Sequence, residues 1–311
     1  MTPMTDTHVI ALPPGYRVAD ALAFHGRDPE RVAEQIDADG LRKGVLFGGV
    51  PTLFDIRFGA GAAHCRVTFD GPATQDVQAR TREALLNVLG LRIDPAAFGA
   101  LVQDDPWLGP VVARQPGLRI VQSATIFEAL TWAIIGQQIN LTFAIALRRT
   151  LIQLAGRAHA SGLRCYPEAP DVARLDIGEL TSRKFSNAKA ETILRVARMV
   201  VDGSLVLERG TGVEDISCPA SADVSETLLA IKGIGPWTVN YVLLRGYGYP
   251  DCSLHGDVAV RAALHTLSGS AARPTVREAE QMLARYAPHR TMAAAYLWAS
   301  LADTPSADEP A

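Results

Sequence analysis

The spacing of apolar positions changes period along this chain. Between residues 44 and 69, short apolar stretches at 44–48, 52–58 and 65–69 are separated by Gly, Pro and Asp turns, which predicts a small antiparallel sheet. The period then lengthens. Across 73–89, Val77, Leu85, Val88 and Leu89 recur at helical spacing, and the pattern predicts an amphipathic helix with those residues buried. From there helices dominate: an apolar run at 127–155 broken at Gly136 predicts two, 188–201 predicts another, and 279–300 holds at least one more. No repeat is visible, and the short, polar, Pro-containing tail at 302–311 is expected to fray. The order is that of an α+β chain, a small sheet with helices followed by a mostly helical part.

Composition narrows this only a little. A chain of 311 residues, 48% of them hydrophobic, can bury one large core or several smaller ones. Net charge is -3, so the total charge gives no nucleic-acid signal. Locally the sign reverses: between 227 and 298, Lys232, Arg245, Arg261, Arg273, Arg277, Arg285 and Arg290 outnumber Asp251, Asp257, Glu278 and Glu280. Most of these read as a solvated face, with two or three left for phosphates. Cys65, Cys165, Cys218 and Cys252 lack the close spacing of a zinc or iron-sulfur site, so reduced thiols and no metal are expected. Residues 1–13 carry neither a basic flank with an apolar run nor a spanning segment, which predicts a cytoplasmic protein without membrane contact.

The stretch at 228–264, LLAIKGIGPWTVNYVLLRGYGYPDCSLHGDVAVRAAL, carries the chemistry. Gly233 and Gly235 flank Ile234, allowing positive φ and bare amides, and Pro236 stands where a first helical residue tolerates a missing N–H. A helix start with free N–H groups favours a phosphate oxygen without reading any base. Taken alone, the same residues also read as a tight turn between packed helices. Trp237 and Tyr241 share one helix face, and Val239, Val242 and Leu243 occupy another that enters the core. The helix is expected to stop near Gly246; Asp257 then opens the apolar run Val258, Val260, Ala263, Leu264, as an N-cap or as a functional carboxylate.

This constellation resembles the helix-hairpin-helix, Gly/Pro loop, Asp (HhH-GPD) superfamily of DNA glycosylases, and within it the 3-methyladenine-DNA glycosylase II (AlkA-type) branch. Segments 16–24, 115–137, 187–191 and 291–298 resemble corresponding parts of that branch in the same order, so nearly the whole chain is covered. The resemblance implies an N-terminal TBP-like sheet-plus-helix domain at 1–115, a helical bundle at 116–225, a hairpin and catalytic Asp region at 226–301 packing with the bundle, and the tail at 302–311. It implies a monomer that flips alkylated purines (3-methyladenine, 7-methylguanine) from damaged double-stranded DNA, associating with the nucleoid, and hydrolyses the glycosidic bond without a cofactor. A structural monovalent ion held by hairpin carbonyls also belongs to that comparison.

Roles follow residue by residue. Asp257 is implied as the catalytic carboxylate that offsets positive charge on the sugar or guides the attacking water. Trp237, Tyr241, Trp298 and Phe24 are implied as the base pocket, since electron-rich rings attract a cationic base; each also reads as core packing. Lys232, Gly233, Ile234, Gly235 and Trp237 are expected to meet the DNA backbone. Gln138 stands at the position of the wedge that fills the emptied stack, where relatives carry an apolar residue, and otherwise reads as a polar residue ending a helix. Arg27 and His25, near Phe24, depart from the relatives and are expected to alter the pocket. His255 reads as a loop residue bonding its own backbone or as one that tunes Asp257. Trp237 occupies the place where bifunctional branches carry a Schiff-base Lys, which predicts hydrolysis without lyase activity. Two other functions fit the same residues: a non-catalytic binder of distorted DNA with Asp257 only as a cap, and a glycosylase for deaminated or oxidised bases.

Overall fold

The computed structural model describes residues 4–207 and 219–302. Strand β1 (Met4–Ala11) and helix α1 (Val18–His25) precede β2 (Glu34–Ile36), β3 (Gly40–Phe47), β4 (Val50–Gly59) and β5 (Ala62–Phe69). The five strands form one antiparallel sheet in the order β1-β5-β4-β3-β2. Its centre is the predicted set of strands, lengthened at their ends. The edges β1 and β2 escaped the apolar pattern because β1 is mostly exposed and β2 spans three residues. In register, Phe54 pairs with Val67 and Ile56 with Cys65, and α2 (Gln75–Val88) covers the apolar face with Val77, Ala84, Leu85 and Val88. The Thr74 side chain caps α2 by accepting from the Val77 amide.

The helical part follows. Short helices α3 (Ala96–Leu101) and α4 (Gly109–Arg114) lead to α5 (Ile126–Gly136) and α6 (Leu141–Ala155), the pair expected on either side of Gly136. Then come α7 (Ala169–Ala173), α8 (Ile177–Thr181), α9 (Asn187–Val201), α10 (Pro219–Leu229), α11 (Pro236–Val242), α12 (Val258–Ser268), α13 (Val276–Ala284) and α14 (Arg290–Ala302). One hydrophobic core runs through these helices from Ile93 to Leu297. Phe98 of α3 packs its ring on Tyr286 and Tyr296, so the segment at 96–114, expected in the N-terminal domain, belongs to the helical core. The expected bundle and hairpin regions likewise share that single core. Cys65, Cys165 and Cys252 are buried free thiols; Cys218 and the tail at 303–311 lie outside the described residues.

A closed ionic network joins sheet to helices. Lys43, on the apolar side of β3, donates to Glu34 of β2 at 2.6 Å and to Glu128 of α5 at 2.8 Å. Arg148 of α6 grips Glu34 through both guanidinium arms, at 3.0 and 2.5 Å, and Glu128 at 2.8 Å. Two cations and two carboxylates thus cancel in a buried space. Burial alone would raise both carboxyls, but Arg148 and Lys43 outweigh it and hold Glu34 and Glu128 below the usual carboxylate range. Among the described residues no helix is long and apolar enough to cross a membrane.

Candidate active site

A cleft of about 1150 Å³ opens between the α5–α6 corner, the segment leading into α11, and the start of α12. Local sequence builds each wall. Gly233 sits at φ 98°, and a Cβ there would stand 2.2 Å from Thr192 Oγ1, so this position needs glycine twice over. Gly235 instead has φ -114° with open space around it, so its missing side chain serves close approach rather than a left-handed turn. Pro236 is the first helical residue of α11, as its missing N–H requires. The helix runs on as a single π turn over Leu243–Tyr247 and Gly248 ends it at φ 75°, in keeping with the stop expected near Gly246.

Asp257 caps α12 and faces the cleft at the same time. Its Oδ1 accepts from the amides of Ala259 (3.0 Å) and Val260 (2.9 Å) and from Trp298 Nε1 (3.2 Å), while Oδ2 accepts from Trp237 Nε1 (2.8 Å). The N-cap expected from the sequence is present, and the same carboxylate faces the cleft. Three donors fill Oδ1 and one meets Oδ2, which leaves Oδ2 the oxygen with a free lone pair. The group is laid out as a fixed negative charge with one open acceptor position. It is half-buried and lines the cleft.

The rings assemble around it. Trp237 and Tyr241 have centroids 5.2 Å apart and Tyr241 and Trp298 6.4 Å apart. Trp132 of α5 also lines the cleft and donates its Nε1 to the Tyr241 hydroxyl at 2.9 Å. Sequence reasoning missed Trp132, because α5 is buried nearly all round and offers no polar face to mark a functional side. Phe24 stands behind this wall, lining a small adjoining polar cavity, with the guanidinium of Arg27 4.0 Å and that of Arg245 4.7 Å from its ring centroid. Arg27 and Arg245 both line the cleft. Arg245, counted above with candidate phosphate contacts, is therefore a pocket residue. His25 is buried away from the cleft against the Val88 carbonyl, and burial, followed by Lys43, pushes its imidazole down to about 3. His255 bonds Ser253 Oγ at 2.9 Å, a local side chain rather than its own backbone.

At the cleft rim, Gln138 is exposed in a left-handed conformation, φ 55°, beyond the end of α5. Gln137 beside it ties the corner to the hairpin, donating to Gly233 O at 3.0 Å and Thr238 Oγ1 at 2.9 Å. From below, the Lys189 ammonium donates to the carbonyls of Ile135 and Gln137. Among the described residues the amides of Gly233, Gly235 and Trp237 meet no internal acceptor. The Ile234 N–H closes the turn onto Ile231 O at 3.0 Å and its side chain is buried, so it anchors the hairpin. Lys232, Arg273 and Arg277 are exposed without an ion pair among the described residues, whereas Arg290 is held by Asp251 and Arg261 by Pro274 O.

At the hairpin the Ile231, Lys232 and Gly233 carbonyls accept from the Ile234 amide, the Arg195 guanidinium and the Gln137 side chain. Among the described residues no group of His, Cys, Asp and Glu is arranged to hold a metal.

Residues 131–289, which include both the hairpin and Asp257, match the family described as HhH-GPD superfamily base excision DNA repair protein. The chain belongs to that superfamily. Across 95% of its length it is 26% identical to the DNA-3-methyladenine glycosylase of Bacillus subtilis (strain 168), covering 97% of that protein. It is 28% identical to DNA-3-methyladenine glycosylase 2 of Escherichia coli (strain K12), over 86% of this chain and 87% of that one. The 3-methyladenine DNA-glycosylase structure from Archaeoglobus fulgidus superposes with a TM-score of 0.75 at 19% identity, covering 94% of this chain and 97% of its own, which establishes the shared α+β fold. Within the superfamily the chain falls with the AlkA-type glycosylases, hydrolases of N-glycosyl bonds.

Proposed function

We propose that this enzyme hydrolyses the glycosidic bond of alkylated purines in duplex DNA, 3-methyladenine and 7-methylguanine among them, and leaves an abasic site. One observation carries the reading: a half-buried carboxylate, Asp257, fixed by two indole N–H groups and two helix amides at the wall of a ring-lined cleft. A base reaches that cleft only after leaving the stack, so the reaction begins with flipping. Gln138 fills the vacated space, and the free amides of Gly233, Gly235 and Trp237, with exposed Lys232, hold the neighbouring phosphates.

As the glycosidic bond lengthens, positive charge grows on the sugar, and the Asp257 carboxylate offsets it at short range. Its open Oδ2 position then receives the incoming water. Among the described residues no lysine lines the cleft, and the Lys189 ammonium is occupied beneath the α5–α6 corner, where burial lowers its basicity. We therefore propose hydrolysis without Schiff-base chemistry, with water as the only co-reactant and the monomer as the acting unit. Release of methylated bases from alkylated duplex DNA tests the reading: Asp257→Asn abolishes release while duplex binding persists. Equal release by both proteins, or efficient borohydride trapping of the enzyme on DNA, overturns it.

A further inference from the structure

Trp237, Tyr241 and Arg245 recur at four-residue spacing, and the π turn carries Arg245 into the cleft behind the two rings. Arg27 arrives from the other end of the chain. The Arg245 guanidinium lies 4.7 Å from the Phe24 centroid and 5.4 Å from that of Trp298; Arg27 lies 4.0 Å from Phe24 and 5.2 Å from Trp132. Neither makes an ion pair with a described carboxylate. Arg27 donates its Nε to its neighbour's carbonyl, Phe24 O, and Arg245 donates to Val121 O and to Tyr241, while Arg245 Nε is buried without an acceptor. Burial lowers both groups, Arg27 to about 10, where the Arg245 charge also acts downward. A purely structural pair of cations would be neutralised, as Lys43 and Arg148 are a short distance away.

Positive charge on these rings changes what the pocket prefers. An aromatic face that would attract a cationic purine already serves a guanidinium, so a further cation meets repulsion. A neutral purine behaves in the opposite way. When its glycosidic bond breaks, the electron pair stays on the departing base, which becomes an anion until it is protonated; guanidinium groups stabilise that charge and donate to carbonyl oxygens and ring nitrogens.

Building on the glycosylase reading of the same site, we propose that Arg27 and Arg245 are specificity-determining groups that equip the pocket for neutral damaged purines bearing acceptor edges, by stabilising the base as it leaves negatively charged. The balance is that of simple hydrolysis. The bonding pair leaves with the purine, the oxygen of one water joins the sugar carbon, one of its protons stays on the new hydroxyl and the other ends on the purine. Cationic alkylpurines leave without this help.

The test uses the full chain and single-lesion duplexes containing hypoxanthine, a neutral purine, or 7-methylguanine, a cationic one, with single-turnover excision rates. Arg27→Gln is expected to lower the ratio of hypoxanthine to 7-methylguanine excision at least tenfold, and Arg27→Lys, which keeps the charge, restores the original ratio. Arg245→Lys and Arg245→Gln repeat the comparison should Arg27→Gln fold poorly. Equal slowing of both lesions, or a larger loss on 7-methylguanine, overturns the inference. Release of no base from either duplex by the unaltered protein would instead remove the glycosylase reading, whereas Asp257-dependent release with an unmoved lesion ratio removes only the role given to the arginines.

Discussion

Two neighbouring regions of this molecule treat buried charge in opposite ways. In the network between sheet and helices, Lys43 and Arg148 close on Glu34 and Glu128, and every charge finds its opposite inside the protein. In the cleft, Asp257 is held by neutral N–H groups, and Arg27 and Arg245 rest on aromatic rings. The first arrangement is self-sufficient and fixes how two parts of the fold meet. The second keeps its charges unneutralised at the cleft wall, the arrangement on which the proposed function rests. Trp132 stands at the border, lining both the cleft and the small polar cavity beside the network, whereas Phe24 lines only that cavity.

That contrast predicts that mutations in the cleft move turnover and mutations in the network move stability. The largest effect belongs to Asp257→Asn. Asparagine caps a helix about as well as aspartate, so stability should hold within about 0.5 kcal/mol while the excision rate falls by about a thousandfold. A large drop in unfolding free energy would place Asp257 with the structural charges instead. Next, Lys43→Met leaves two carboxylates with one cation and should cost about 3 to 5 kcal/mol in urea unfolding. The surviving folded protein should retain its single-turnover rate; a rate loss matching the stability loss would merge the two regions.

Acid sharpens the comparison further. His25 stands at about 3 in the fold but titrates near 6.5 when exposed, so between these values the unfolded chain binds a proton that the native state refuses. Stability is therefore complete above about 6.5 and declines as pH falls, by at most about 1.4 kcal/mol per pH unit from this group. Glu34 and Glu128, held low by Arg148 and Lys43, add further loss below their ordinary value of 4.5. Urea midpoints measured from pH 8 to 5 should fall, and His25→Gln should flatten the slope; an unchanged slope in that variant would acquit the buried imidazole. The smallest effect is Trp298→Phe, which removes one donor to Asp257 Oδ1 and should lower turnover about fivefold, equivalent to about 1 kcal/mol, with little change in unfolding.

What could be read from the sequence was local. The apolar period gave the central strands, α2 and the break between α5 and α6, because one face of each element must enter a core and its spacing shows along a single segment. The hairpin and Asp257 were legible for the same reason: Gly233, Pro236 and Asp257 answer backbone demands met within a few residues of themselves. Strand β1 was not legible, since an exposed edge is held by backbone hydrogen bonds that leave little trace in side-chain pattern. Nor was the burial of the Ile234 side chain. Only the tertiary structure put Lys43 against Glu128, Trp132 against Tyr241, and Arg27 beside Arg245 on one ring, for these meetings join distant segments. A residue's chemistry is written in the chain; its partner is chosen by the fold, and here the partner decides whether a charge braces the molecule or waits for a substrate.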